Sequence, residues 1–140
     1  MKKVFFLAIF GIAFSLTACN FGSKDEVTYT EQDLIGTWKE EGISQDVYVC
    51  FTGEKDATGE YRYGYEWNES ENVFPENLKK YGNGWFKWKL VTSDLTEIHL
   101  MDNGAADIPK VYKVLKLTDT TLEYQDDYKN IHKFSKVIIR

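Results

Sequence analysis

The chain has 140 residues, 43% of them hydrophobic and 16% aromatic, with a formal net charge of −5. That length fits one domain, and the acidic balance argues against nucleic acid and anionic lipid headgroups as partners. It has two cysteines, Cys19 and Cys50, so a zinc site built on cysteine pairs is ruled out as soon as one of them is used otherwise.

In chain order, Met1-Lys2-Lys3 is a short positive start, and Val4 to Leu16 is an apolar run. The run is shorter than the roughly 20 residues that span a bilayer, but it suits a secretory leader. It ends in Leu16-Thr17-Ala18-Cys19, which resembles the lipobox of bacterial lipoproteins. The resemblance implies a signal peptide over 1–18, cleaved before Cys19, and diacylglyceryl attachment at that cysteine. Two or more acyl chains hold a protein stably at a membrane without crossing it, so the expected partner at this end is the membrane. Asn20 after the cysteine favours the outer membrane of the cell envelope. Lys24-Asp25-Glu26 either resembles a surface-export signal or is a solvated charge run. Residues 19–29 read as a lipidated tether. Once Cys19 carries lipid, Cys50 has no disulfide partner and reads as a small buried hydrophobe.

Thr30-Glu31-Gln32-Asp33 has the spacing of a capping box over a single helical turn that Gly36 ends. Beyond it the pattern predicts short strands at 37–41, 45–52, 60–67, 85–91, 96–101, 110–117, 121–125 and 131–138. Between them stand turn signals such as Thr92-Ser93-Asp94 and the segments 103–108 and 126–130. Tight connections favour antiparallel neighbours. The expected class is all-β, with residues 30–140 forming an eight-stranded antiparallel up-and-down barrel whose closure removes exposed edges.

The residues Leu34-Ile35-Gly36-Thr37-Trp38 resemble the opening of a lipocalin-type barrel, a short helical plug followed by Gly-x-Trp. The run 112–124, around Leu117-Thr118-Asp119-Thr120-Thr121-Leu122, resembles the closing hairpin of small lipocalin-like domains in bacterial lipoproteins. The resemblance implies structural roles for Gly36 and Trp38, the tryptophan closing the barrel bottom. It also implies a basic residue of the last strand stacked on Trp38, for which Lys133, Lys136 and Arg140 are all candidates.

In 60–67 every second residue is a ring: Tyr61, Tyr63, Tyr65 and Trp67. Turned inward, these rings either fill a narrow barrel or line a ligand pocket. Turned outward, they would seat a partner, but Arg62 and Glu66 would then point inward as a costly buried pair. The inward placement is therefore expected. In 85–90, Phe86, Trp88 and Leu90 form the apolar face, while Trp85 falls on the side of Lys87 and Lys89. Tyr61, Tyr63, Tyr65, Trp67, Trp85 and Trp88 are the candidate ligand-binding residues.

Signals for catalysis are few. His99 reads as solvent-facing between Ile98 and Leu100, and His132 alternates with Ile131 in the last strand. Neither has metal-ligand spacing, and Glu40-Glu41 and Asp126-Asp127 read as solvated pairs at strand ends. No phosphate loop or nucleophile elbow occurs, so no cofactor, no metal and no enzymatic activity are expected. The expected function is a membrane-anchored, lipocalin-like lipoprotein binding a small apolar or aromatic molecule in its barrel. The alternative is a protein-interaction or structural module of the envelope with a side-chain-filled barrel.

Overall fold

The computed structural model describes residues 27–101 and 108–138. The leader, Cys19, the Lys24-Asp25-Glu26 run, Arg140 and most of the turn expected at 103–108 lie outside the described residues. The order of elements is a one-turn helix α1 (Glu31–Leu34), then β1 (Gly36–Glu41), β2 (Val47–Lys55), β3 (Arg62–Asn68), β4 (Trp85–Val91), β5 (Asp94–His99), β6 (Pro109–Leu117), β7 (Thr121–Gln125) and β8 (Ile131–Lys136). Each strand pairs antiparallel with its sequence neighbour, and β1 pairs with β8 through Trp38↔Lys136, which closes the barrel. The all-β class and the closed eight-stranded antiparallel barrel are as expected. Two 3-10 turns, Glu69–Glu71 and Pro75–Asn77, lie in the long β3–β4 connection. Among the described residues no helix is long and apolar enough to cross a membrane.

The two ends of the barrel differ. At the end where β1 begins, Thr30 caps α1 by accepting from the Asp33 N–H at 3.2 Å, satisfying a donor that the first turn leaves free. Leu34 and Trp38 are wholly buried, and the Trp38 Nε1–H donates to the Leu34 carbonyl at 2.9 Å. Of the two described basic candidates, Lys133 and Lys136, Lys136 is the one on the ring: its Nζ lies 4.6 Å from the Trp38 centroid and donates to the Ile35 carbonyl at 3.2 Å. Such a cation over an indole face is attracted by the ring quadrupole. Phe51, Phe86 and Trp88 pack edge to face above this layer, with Leu90, Leu95, Val114 and Leu122 completing an apolar core.

Strand phase departs from expectation on β3. Gly64 is buried, while Tyr63, Tyr65 and Trp67 stand on the outer wall with Tyr48 and Trp85. The reason is space. An added Cβ at Gly64 would lie 2.5 Å from Phe86 Cζ and 2.8 Å from the Cys50 carbonyl oxygen. Rings from β2 and β4 already occupy the interior there, so β3 offers a glycine inward and sends its own rings outward.

Arg62 and Glu66 do point inward, but not as a pair. Four residues at about 3.3 Å each put them roughly 13 Å apart along the strand, so each finds its own surroundings. Arg62 Nε donates to Glu31 Oε1 at 2.9 Å and another guanidinium nitrogen donates to the Gly53 carbonyl at 2.7 Å. Glu66 reaches the opposite end. Trp88 belongs to the core, wholly buried with its Nε1–H on the Tyr63 carbonyl at 3.1 Å. Cys50 is a free thiol, half-buried on the outer face beside Tyr65, rather than a core residue.

Candidate functional site

Alternation on a closed sheet decides what the far end of the barrel contains. On β5, Leu95 is buried in the core. Counting by twos from it turns Glu97 and His99 inward and Ile98 outward. His99 is thus an interior residue, contrary to the solvent-facing expectation. The same counting brings Glu40 from β1, Glu66 from β3, Tyr112 from β6, Tyr124 from β7 and His132 from β8 to one end. There they line a cavity of about 550 Å³. Val47, Val49 and Phe134 add apolar lining, and Lys110, Asp126, Asp127 and Tyr128 line it as well.

The titratable groups form two hydrogen-bonded sets. His132 is held between two carboxylates: Nδ1 is 3.0 Å from Glu40 Oε2, and Nε2 is 3.0 Å from Asp126 Oδ2. Burial disfavours its charge, but the bonds to Asp126 and Glu40 outweigh that and raise its pKa. The His132 bond, with the Asn130 and Tyr128 N–H groups, holds the Asp126 carboxyl below its usual value. His99 Nε2 lies 3.2 Å from Glu97 Oε1, and that bond raises the histidine's pKa against the effect of burial. Glu97 is 4% exposed, and its Oε2 is buried with no hydrogen-bond partner among the described residues.

The cavity is electronegative. Glu66 is pushed up first by burial and then by Glu97. Burial raises the Tyr112 and Tyr124 phenols, and Glu97 adds to the rise in both. Like charges and lost water both disfavour an anion, and this wall supplies both.

None of the six predicted ligand-binding residues lines the cavity. Tyr63, Tyr65, Trp67 and Trp85 instead form an outer-wall belt with Tyr48 and Tyr81. Tyr48 stacks on Trp67 at 5.1 Å, Tyr65 meets Trp85 at 4.7 Å, and Tyr63 meets Tyr81 at 4.3 Å. Burial, followed by the Cys50 thiol, pushes Tyr65 up to about 12. Tyr61 is separate, its ring under Lys89 Nζ at 5.0 Å. Of the residues that do line the cavity, Glu97, His99 and His132 could have been found by carrying the alternation of β5 from Leu95 and that of β8 from Phe134. Glu40 follows by the same count from the buried Trp38, whereas Asp126 lies in a turn and gives no such signal, since acidic residues there are usually solvated.

Histidines and acids in a cleft can move protons. Here both His132 nitrogens are engaged by carboxylates, and the described lining holds no serine, threonine or cysteine. No group of three or more His, Cys, Asp or Glu residues among the described ones is placed to hold a metal ion. Comparison with family models, with curated proteins and with solved structures finds no match to this chain.

Proposed function

We propose that this chain is a membrane-anchored, lipocalin-like lipoprotein that takes one small molecule into the polar end of its barrel without chemically changing it. α1 is the plug of that barrel, sealing one end over Trp38, and lipid on Cys19 is the anchor. The observation that carries the reading is the cavity of about 550 Å³, within the roughly 300–1,000 Å³ usual for small-molecule sites. It lies at the end opposite the plug. Val47, Val49, Phe134 and the Tyr112 and Tyr124 rings suit an apolar or aromatic body. The ligand seat is thus moved from the tyrosine row to the cavity wall, while the ligand class stays small and at least partly apolar.

The test is native mass spectrometry of the full chain, purified in a non-ionic detergent and exposed to an envelope extract. A copurifying molecule that shifts the Tyr112 and Tyr124 resonances supports the reading. A chain that emerges unliganded from every extract overturns it. Cleavage and lipidation are tested by labelling with a radioactive fatty acid, incorporation being expected in the parent and lost in Cys19→Ser. The interaction-module reading retains one observation in its favour, the contiguous outer-wall rings. Crosslinking that is abolished by Tyr65→Ala, with cavity binding intact, would move the function there.

A further inference from the structure

We propose that the polar end of the barrel seats the positively charged head of a small organic amine, an inference that rests on the small-molecule reading and names its ligand class. Glu97 carries it. The side chain comes from the middle of β5, is almost wholly buried, and faces the cavity. One carboxylate oxygen is used by His99, and the other has no donor among the described residues. An ionised oxygen in that position is costly unless a donor reaches it. Lys110 stands opposite Glu97 in the β5–β6 register, yet makes no hydrogen bond to Oε2. A ligand N–H⁺ arriving from the cavity would supply the missing donor.

The surroundings select the sign of charge. Glu40, Glu66, Glu97, Asp126 and Asp127 line the cavity, against Lys110 and two histidines that are already committed to carboxylates. Glu66 and Glu97 face one another closely enough to repel, as the raised pKa of Glu66 reflects. A cation between them would relieve that repulsion, and an anion would add to it. Tyr112 and Tyr124, with ring centroids 4.7 Å apart, add aromatic faces that attract an ammonium. The described residues form no metal-ligating cluster, so the cation that fits is an organic one, its apolar body on Val47, Val49 and Phe134.

The test compares phenethylamine with 2-phenylethanol and 3-phenylpropanoate, three probes of one shape and different charge. Isothermal titration uses the full chain in a non-ionic detergent, and binding is located by the ring resonances of Tyr112, His99 and His132. The amine is expected to bind about ten-fold or more tightly than the alcohol, the measure of a charge-assisted hydrogen bond, with the propanoate weakest. Glu97→Gln is expected to erase the amine's advantage while leaving alcohol binding in place. Glu66→Gln should reduce that advantage and serves as the second variant should Glu97→Gln fail to fold. Equal binding of amine and alcohol, or a ratio that survives both substitutions, overturns the charge assignment and leaves the small-molecule reading standing. Displacement of the amine by millimolar calcium at the same resonances also overturns it, in favour of a metal ion. Failure of all three probes to shift the cavity resonances overturns the small-molecule reading and this inference together.

Discussion

Gly64 is where the interior of the barrel is tightest, and Gly64→Ala tests why β3 sends its rings outward. The new methyl would sit 2.5 and 2.6 Å from Phe86 Cζ and Cε2 and 2.8 Å from the Cys50 carbonyl oxygen. Phe86 is wholly buried, and the carbonyl belongs to the β2 backbone paired with β3, so neither can swing aside. Overpacking of this kind costs about 1–3 kcal/mol. The gain from stiffening the unfolded chain offsets only about 0.4–1 kcal/mol of it. At about 4–8 °C per kcal/mol for a domain of this order of size, the melting midpoint by circular dichroism should fall by several degrees. Phe86→Leu in the same chain shortens the ring and should rescue part of the loss, so the double variant should be less destabilised than the two single costs summed. A Gly64→Ala variant within about 0.5 kcal/mol of the parent, or costs that simply add, would refute the packing argument.

Other consequences can be checked one by one. Trp38→Phe keeps a ring but orphans the Leu34 carbonyl, costing about 1–3 kcal/mol in guanidinium unfolding. Lys136→Met keeps the stem over Trp38 and removes the charge, a loss of about 1–2 kcal/mol that 1 M salt should leave largely in place because the site is partly enclosed. The His132 bridge contributes within a pH window. The raised His132 pKa gives stability fully present below the ordinary 6.5 and lost as pH rises through the folded value. The lowered Asp126 pKa gives stability present above 3.8 and lost as pH falls through its folded value. His132→Gln should therefore lower the melting midpoint most between about pH 4 and 6.5 and least at pH 9. Asp56 accepts from the Thr58 hydroxyl at 2.7 Å and from the Thr58 and Gly59 N–H groups at 3.1 and 3.0 Å. Asp56→Ala should loosen the 56–61 loop, read as faster amide exchange at Gly59 and Tyr61.

The barrel was legible because its signals are local: eight period-two runs divided by turn residues, the 121–125 strand with the bounds observed. The Thr30 cap, Trp38 and the inward face of β4 were legible for the same reason. The orientation of β3 was not, because alternation fixes two faces without saying which is inside. Hydrophobicity chose the rings, whereas the volume of Phe51, Phe86 and Trp88 on neighbouring strands decided otherwise. An inward Arg62 and Glu66 are costly only as one buried pair. The two side chains sit near opposite ends of the barrel, one bonded to Glu31 and the other in the cavity. The inward face of His99 is not legible in a strand that begins at Thr96, because Leu95 is the residue that anchors the phase. The binding end as a whole comes from strands up to 92 residues apart, as in His132 with Glu40, and no local pattern marks such a meeting.

The outer rings first serve the fold. Trp85 is covered by Tyr63, Tyr65 and Tyr81, and its Nε1 is buried without a hydrogen-bond partner among the described residues. Tyr81 belongs to the long β3–β4 connection, has a backbone φ of 62°, and hydrogen-bonds to Glu54 at the far end of β2. A non-glycine residue in that left-handed region is held there by its surroundings, and the ring contacts to Tyr63 and Trp85 are what hold it. The belt therefore fastens the β3–β4 connection, whose Glu71 and Val73 lie beside Val47 and Glu66. Tyr81→Gly relaxes the backbone while removing the fastening ring, so the two roles of the residue separate. If the ring is what matters, amide exchange across 69–84 should rise while the barrel's melting midpoint changes little. Unchanged exchange there would leave the belt without a structural task and strengthen the case that it receives a partner.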